Sequence, residues 1–212
     1  MKILNLYAGI GGNRKKWGGE KHNITNVEWD EDVAQVLREE FPNDEVVVRD
    51  AHEYLKENFE DFDFIWASPP CPSHSRVRKN SAVARGQNKP VYPDMKLWQE
   101  ILFLKGYFDG EWVVENVKSW YDPLIKPQES GQHYFWSSFA IPKIDLKTRE
   151  HDGGVEKLQK HKGFDVSDYT FENKSKEKVL RNCVHPKLGK KILQACGKTK
   201  QGNLVSFGKT EV

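Results

Sequence analysis

The chain has 212 residues, enough for one sizeable core with a small appendage, and 37% hydrophobic against 30% charged residues excludes a disordered chain. Lysine and arginine number 33 against 31 acidic residues, so the net charge of +2 names no partner. The three cysteines, Cys71, Cys183 and Cys196, show no paired spacing, which excludes a disulfide framework and a cysteine-rich zinc site and suits a reducing cytoplasm.

The opening MKILNLYAGIGG carries only a short apolar run and no cleavage-like region. No later stretch approaches the ~18 uninterrupted apolar residues of a membrane span, so neither secretion nor membrane insertion is expected. Lys2 to Tyr7 reads as a buried strand, ended by the glycines of AGIGG. Val27 begins a short segment that ends at Glu28, Trp29 and Asp30. Val33, Val36, Leu37 and Phe41 then recur at helical spacing and predict an amphipathic helix stopped by Pro42. Val46 to Val48 reads as a strand reaching Asp50, HEYLKENF as a short helix, and FDFIWA as a strand running into WASPPCPSHS.

Residues 72–94 lack periodicity and read as a long functional loop. From Pro72 to Pro93 stand Arg76, Arg78, Lys79, Arg85 and Lys89 without one acid. A second basic zone lies between Lys174 and Lys200, with nine basic residues against Glu177. Two such zones permit a polyanionic partner, although solvated lysine faces explain them as well. Met95 to Phe108 predicts a second amphipathic helix and EWVVEN the next strand. The alternation of strand and helix patterns predicts an α/β domain with a mainly parallel sheet over residues 1–142. Residues 143–178 are polar and weakly periodic, a small inserted lobe or an elaborate loop. Residues 179–212 return to the first domain, with a turn and a helix starting near Pro186.

Chemistry-bearing residues fall at successive strand ends, where open α/β sheets bind ligands. Gly9, Gly11 and Gly12 follow the first strand and let the backbone turn tightly beside a ligand. Glu28 ends the second strand, where a carboxylate can accept both ribose hydroxyls of a nucleoside. Trp29 beside it offers a stacking face, and Asp50 closes the third strand as an acceptor for an adenine amino group. Together they point to an adenosine-containing cofactor. The fourth strand delivers Cys71 within a proline-stiffened turn, and the fifth delivers Glu115 and Asn116 to the same crevice. Only a thiolate attacks efficiently, so Cys71 is either a nucleophile in a helpful environment or an inert turn cysteine. His74, His133, His151, His161 and His185 show no metal-ligand spacing, and no metal is expected.

In order and spacing these segments resemble the cytosine-C5 DNA methyltransferases. LNLYAGIGG is similar to that family's first cofactor motif, with Tyr7 in place of the usual phenylalanine. VEWDEDVAQVLREEFP, Asp50 in VVRDAHEYL, PPC, ENV and NCVHPKLG resemble its later motifs in sequence order. The resemblance implies a Rossmann-like methyltransferase sheet binding S-adenosylmethionine through Tyr7, Gly9, Gly11, Glu28, Trp29, Asp50, Pro69, Asn182 and Val184. It implies a Cys71 thiolate that adds to C6 of cytosine, with Glu115 and Asn116 holding a base flipped out of DNA. The 72–94 loop would be the lid, with Arg76, Arg78, Lys79 and Arg85 at phosphates. Two positions depart from the family pattern. Pro72 follows the cysteine where glutamine is usual, and Gln128 to His133 stands where a Q-x-R-x-R motif is expected. His133 is then the substitute at the base carbonyl. The small lobe leaves open RNA or a free cytidine nucleotide as acceptor, or a catalytically weakened DNA-binding relative. Compactness of this kind resembles bacteriophage-encoded members, which implies a monomer in the cytoplasm of a bacterial or phage-infected cell.

Overall fold

The computed structural model describes residues 1–76, 92–144 and 153–197. β1 (Lys2–Leu6), β2 (Asn23–Glu28), β3 (Glu45–Val48), β4 (Phe64–Ala67) and β5 (Glu111–Val117) run parallel. β7 (His133–Ser137) lies antiparallel to β5, and β6 (Gln128–Ser130) pairs with β7 through a tight hairpin at Gly131, whose φ is +58°. The sheet order is β3-β2-β1-β4-β5-β7-β6. The chain winds outward from β1 to β3 and returns to β4 on the other side of β1. The reversal opens a crevice beyond the carboxyl ends of β1 and β4. This is the Rossmann-like α/β sheet expected from the sequence.

The strands read as continuous apolar runs because both sheet faces are covered. Side chains alternate with period two along β4: Ile65 and Ala67 enter one cluster, Phe64 and Trp66 the other. The first face packs against α2 (Ala51–Asn58) and α3 (Lys96–Tyr107) through Leu55, Leu97, Trp98, Ile101 and Leu104. The second face packs against α6 (Pro186–Leu193) through Leu188, Ile192 and Leu193. Beside the sheet, α1 (Glu31–Glu40) is capped by Asp30, whose side chain accepts from the Val33 amide at 3.4 Å.

Strand β2 begins at Asn23, four residues before the position expected from apolar content. The reason is a buried polar ladder. Asn5 donates to Asn26 at 2.8 Å, Asn13 donates to Asn5 at 2.7 Å, and Asn26 donates to Asp44 at 2.9 Å. Arg14 closes it with two bonds to Asp44 at 2.6 and 2.7 Å. Hydrogen-bonded asparagines can be buried in a sheet, and a hydrophobicity pattern does not see them.

Residues 153–183 carry α4 (Val155–Lys162) and α5 (Lys176–Asn182). Leu158, Phe164, Val166, Phe171, Val179 and Leu180 share a cluster with Ala8, Ile10, Val33, Val36 and Leu37. The inserted segment is therefore seated on α1 and on the turn after β1.

The chain's return depends on two close approaches. A Cβ on Gly12 would stand 2.2 Å from the Val184 carbonyl oxygen, and one on Gly189 would stand 2.1 Å from the Asn13 carbonyl oxygen. Both contacts are with backbone, which has little room to yield. Gly189→Ala is expected to destabilise the protein by about 1–3 kcal/mol through overpacking. That loss exceeds the ~1 kcal/mol that alanine gains over glycine inside a helix. The urea midpoint measures it, and an unchanged or raised midpoint would show that α6 does not dock here.

Candidate active site

The turn leaving β1 is strained in a specific place. Tyr7 adopts a left-handed φ of +54°, which costs a residue with a side chain on the order of 1–2 kcal/mol. Gly9 and Gly11 follow at +56° and +78°, where glycine has no such cost. A hydrogen bond from the Tyr7 hydroxyl to Glu100 holds the ring in place. Glu100 lies on α3 with no solvent exposure, and His52 Nδ1 approaches its Oε1 at 3.6 Å. Burial raises the Glu100 carboxyl above the ordinary range, against the nearby His52 and the hydrogen bond from Tyr7. The Tyr7 hydroxyl is raised as well, by burial first and then by the Glu100 charge.

Glu28 ends β2 almost fully buried, 5% exposed. Its Oε2 accepts from the Gly9 amide at 2.9 Å and its Oε1 from the Asp30 amide at 3.1 Å. Burial raises its pKa, while these two amides and Lys174 oppose the rise. Each oxygen keeps a second lone pair for a ligand hydroxyl. The neighbouring Trp29 is 62% exposed, and Lys174 Nζ stands 5.2 Å from its ring centroid while pairing with Asp30 at 2.9 Å. Tyr7, Val27, Trp29, Asp50, Ala51, Pro70, Asp94 and Lys96 line one cleft. Of the cofactor residues expected from sequence, Tyr7, Trp29 and Asp50 line the cleft directly, with Glu28 behind the Gly9 turn. Asp50 also serves its own helix: its Oδ1 accepts from the His52 and Glu53 amides at 2.9 and 3.0 Å, capping α2. The Glu53 amide is the main cause of its lowered pKa. Asn182 is exposed at the end of α5, and Val184 is buried with its backbone against Gly12. Val184 therefore shapes the glycine turn from behind. Val27, Ala51, Asp94, Lys96 and Glu100 are additions that sequence reasoning missed. For Glu100 the signal was present: an acid three residues after Leu97 and four before Leu104, on the apolar face of α3.

Adjacent parallel strands bring together the segments that carry Cys71 and Glu115. Pro69 and Cys71 follow β4, and Glu115 and Asn116 lie in β5. The Asn116 amide donates to the Pro69 carbonyl at 3.0 Å, and its Oδ1 accepts from the Val117 amide at 2.9 Å. Asn116 is buried, and its hydrogen bonds fix the proline turn. The Cys71 thiol is pushed up to about 11, by burial first and then by the Glu115 charge. Glu115 is itself buried, and its Oε1 lies 2.6 Å from Nδ1 of His133, also buried. His133 thus pairs with the acid, where the sequence placed it at the base carbonyl.

The segment after Cys71 is fastened along residues 117–121. Ser75 and Ser119 form an isolated bridge, Trp120 donates to the Ser73 carbonyl at 3.0 Å, and His74 Nδ1 meets the Tyr121 hydroxyl at 2.6 Å. Arg76, expected at phosphate, donates through Nε to the Ser119 carbonyl at 2.8 Å, although its side chain stays exposed. Arg78, Lys79 and Arg85 lie outside the described residues. Among the described residues no cluster could hold a metal ion, and no helix is long and apolar enough to cross a membrane.

A thiol titrating near 11 is mostly protonated at neutral pH, so alkylation of Cys71 should be slow and should accelerate about tenfold per pH unit as pH rises toward that value. Glu115→Gln removes the charge that opposes thiolate formation. Site-resolved mass spectrometry after iodoacetamide treatment at about pH 8 should show Cys71 reacting several-fold faster in that variant. Equal rates would show that the carboxylate does not act on the sulfur.

A search among curated proteins finds no match. Solved structures with partial similarity include a hypothetical protein of Thermus thermophilus, 20% identical with a TM-score of 0.40, covering 64% of this chain and 73% of that one. Another is a mutant of DNMT2 from Spodoptera frugiperda, 25% identical with a TM-score of 0.38, covering 55% and 35%. A third is a tRNA (uracil-54, C5)-methyltransferase of Pyrococcus abyssi in complex with S-adenosyl-L-homocysteine, 18% identical with a TM-score of 0.36, covering 55% and 24%. The matches to the last two therefore span about a third or less of those chains. The model of the C-5 cytosine-specific DNA methylases matches residues 1–122, more than half of the chain and the whole run from β1 through β5. The chain belongs to the family of C-5 cytosine-specific DNA methylases.

Proposed function

We propose that the protein methylates C5 of cytosine in DNA through a covalent adduct between Cys71 and C6 of the base. The observation that carries this reading is the placement of Cys71 and Glu115 at the ends of adjacent parallel strands, beside the cleft lined by Tyr7, Trp29 and Asp50. The donor side fits S-adenosylmethionine. Glu28, buried and held by two backbone amides, has lone pairs for ribose hydroxyls, and the exposed Trp29 face suits an adenine. When bound, that cofactor supplies an electrophilic methyl group.

The chain's own groups do the rest. The Cys71 thiolate adds to C6, which makes C5 nucleophilic and splits one hard step into easier ones. Glu115 donates to ring N3 as negative charge builds on the base. Asn116 holds the Pro69 carbonyl and with it the approach of the sulfur. After C5 has gained the methyl group, loss of its proton lets the sulfur leave. In a duplex the base must leave the stack to reach Cys71, and the basic residues of 72–94 supply phosphate contacts for that state.

Cys71→Ser should abolish transfer of labelled methyl from S-adenosylmethionine to DNA. Undiminished transfer refutes the covalent role of Cys71. DNA containing 5-fluorocytosine should trap a denaturant-stable complex with the wild-type protein. Offering DNA, RNA and dCMP as rival acceptors tests the substrate, and label on RNA or dCMP alone overturns the DNA assignment.

A further inference from the structure

The hairpin of β6 and β7 carries no arginine near the reactive acid, and a histidine occupies the place beside it. His133 stands opposite Val117 in the β5–β7 register, and Val117 shares its strand face with Glu115 two residues away. The imidazole therefore reaches Glu115 diagonally, with Nδ1 2.6 Å from Oε1 and both groups buried. The imidazole engages Oε1 of the carboxylate and not Oε2. The charge of this carboxylate acts on the Cys71 thiol.

We propose that His133 is a positioning residue that acts through Glu115: it holds Oε1 and leaves Oε2 to carry a proton between Cys71 and ring N3 of the base. The assignment rests on the covalent reading above. In the forward step the Cys71 S–H bond breaks and its proton moves to Oε2. The sulfur lone pair forms the bond to C6, the C5=C6 pair shifts into C4–C5, and the C4=N3 pair moves onto N3. That nitrogen takes the proton from Oε2, and Glu115 is a carboxylate again. No other acid, oxidant or reductant is consumed.

An arginine in this place would add a permanent positive charge that favours the ionised form of a neighbouring carboxylate. A neutral imidazole donates from Nδ1 without imposing a charge, so the carboxylate can still accept the thiol proton. Protonating His133 turns the pair into an ion pair and withdraws that capacity, which makes transfer fall on the acid side. Described ionisable groups on the surrounding strands include Glu111 in β5, Tyr134 in β7, Cys71 beyond β4, Lys118 just after β5 and Glu129 in β6. Lys118 and Glu129 pair with each other at 2.7 Å.

The deciding experiment is methyl transfer under single-turnover conditions with the full chain, from about pH 5 to about pH 9, for wild type, His133→Gln, His133→Asn and His133→Arg. Wild type should lose rate on the acid side. His133→Gln donates to Oε1 without titrating, so it should keep its rate within about tenfold at alkaline pH and lose the acid limb. His133→Asn provides the same comparison if the glutamine crowds the site. His133→Arg should be slowed about a hundredfold at every pH, with KM for DNA changed less than about twofold. A glutamine or asparagine profile superimposable on wild type overturns the proposal. So does a loss confined to KM for DNA, which makes His133 a base contact. Trapping by 5-fluorocytosine DNA separates the failures: no adduct with wild type refutes the covalent reading, whereas an adduct with unchanged pH profiles refutes the role of His133.

Discussion

Three carboxylates, Glu28, Glu100 and Glu115, are withdrawn from water around the crevice, and the cost of desolvating them dictates much of what surrounds it. An unpaired buried carboxylate takes up a proton or is not tolerated, so each has been given a partner. Glu28 has two backbone amides, which explains why the turn after β1 must bring Gly9 toward the end of β2. Glu100 has Tyr7 and His52, which ties α3 and α2 to the same turn. Glu115 has His133, which ties β5 to the hairpin beyond it. The strained Tyr7 backbone persists because its ring is held at the hydroxyl and packed against the core cluster of α2 and α3.

The same constraint places opposing demands on Cys71. Cys71 is only partly exposed, and its burial raises the thiol to about 11 and disfavours the thiolate. The nearby Glu115 charge adds to the difficulty in the resting protein. A proton moving from sulfur to carboxylate removes both obstacles at once, since it makes the thiolate and erases the opposing charge. The rigid surroundings serve that exchange. Asn116 pins the proline turn, and His74, Trp120 and the Ser75–Ser119 bridge pin the residues after it.

The parallel sheet was legible in the sequence because strands buried on both faces are written as short apolar runs, and Leu4, Ile65 and Val114 fall in such runs. The strand-end positions of Glu28, Cys71 and Glu115 followed from them. Asn23 to Asn26 were not legible, because burial there is supported by Asn5, Asp44 and Arg14, partners scattered along the chain. Asp50 could be placed at a strand end, but its capping of α2 depends on the turn of the next helix. Asn116 and His133 show the same limit. Residue type and order named both, whereas their partners, Pro69 and Glu115, were set by pairing across the sheet.

Residues 153–183 sharpen the division of labour in the molecule. Residues 143–178 read as a polar inserted lobe or loop, and in its described part Leu158, Phe164 and Phe171 are buried with α1 while Lys174 is drawn to Asp30 and the Trp29 ring. Lys174 also lowers the cost of ionising the buried Glu28. The insertion thus stabilises the wall of the cleft from outside the sheet, while Cys183 and Val184 at its end close against Gly12 from beneath. Loosening either contact should disturb the turn that presents Gly9 to Glu28 before it disturbs Cys71, because the turn carrying Cys71 is fastened independently through β5.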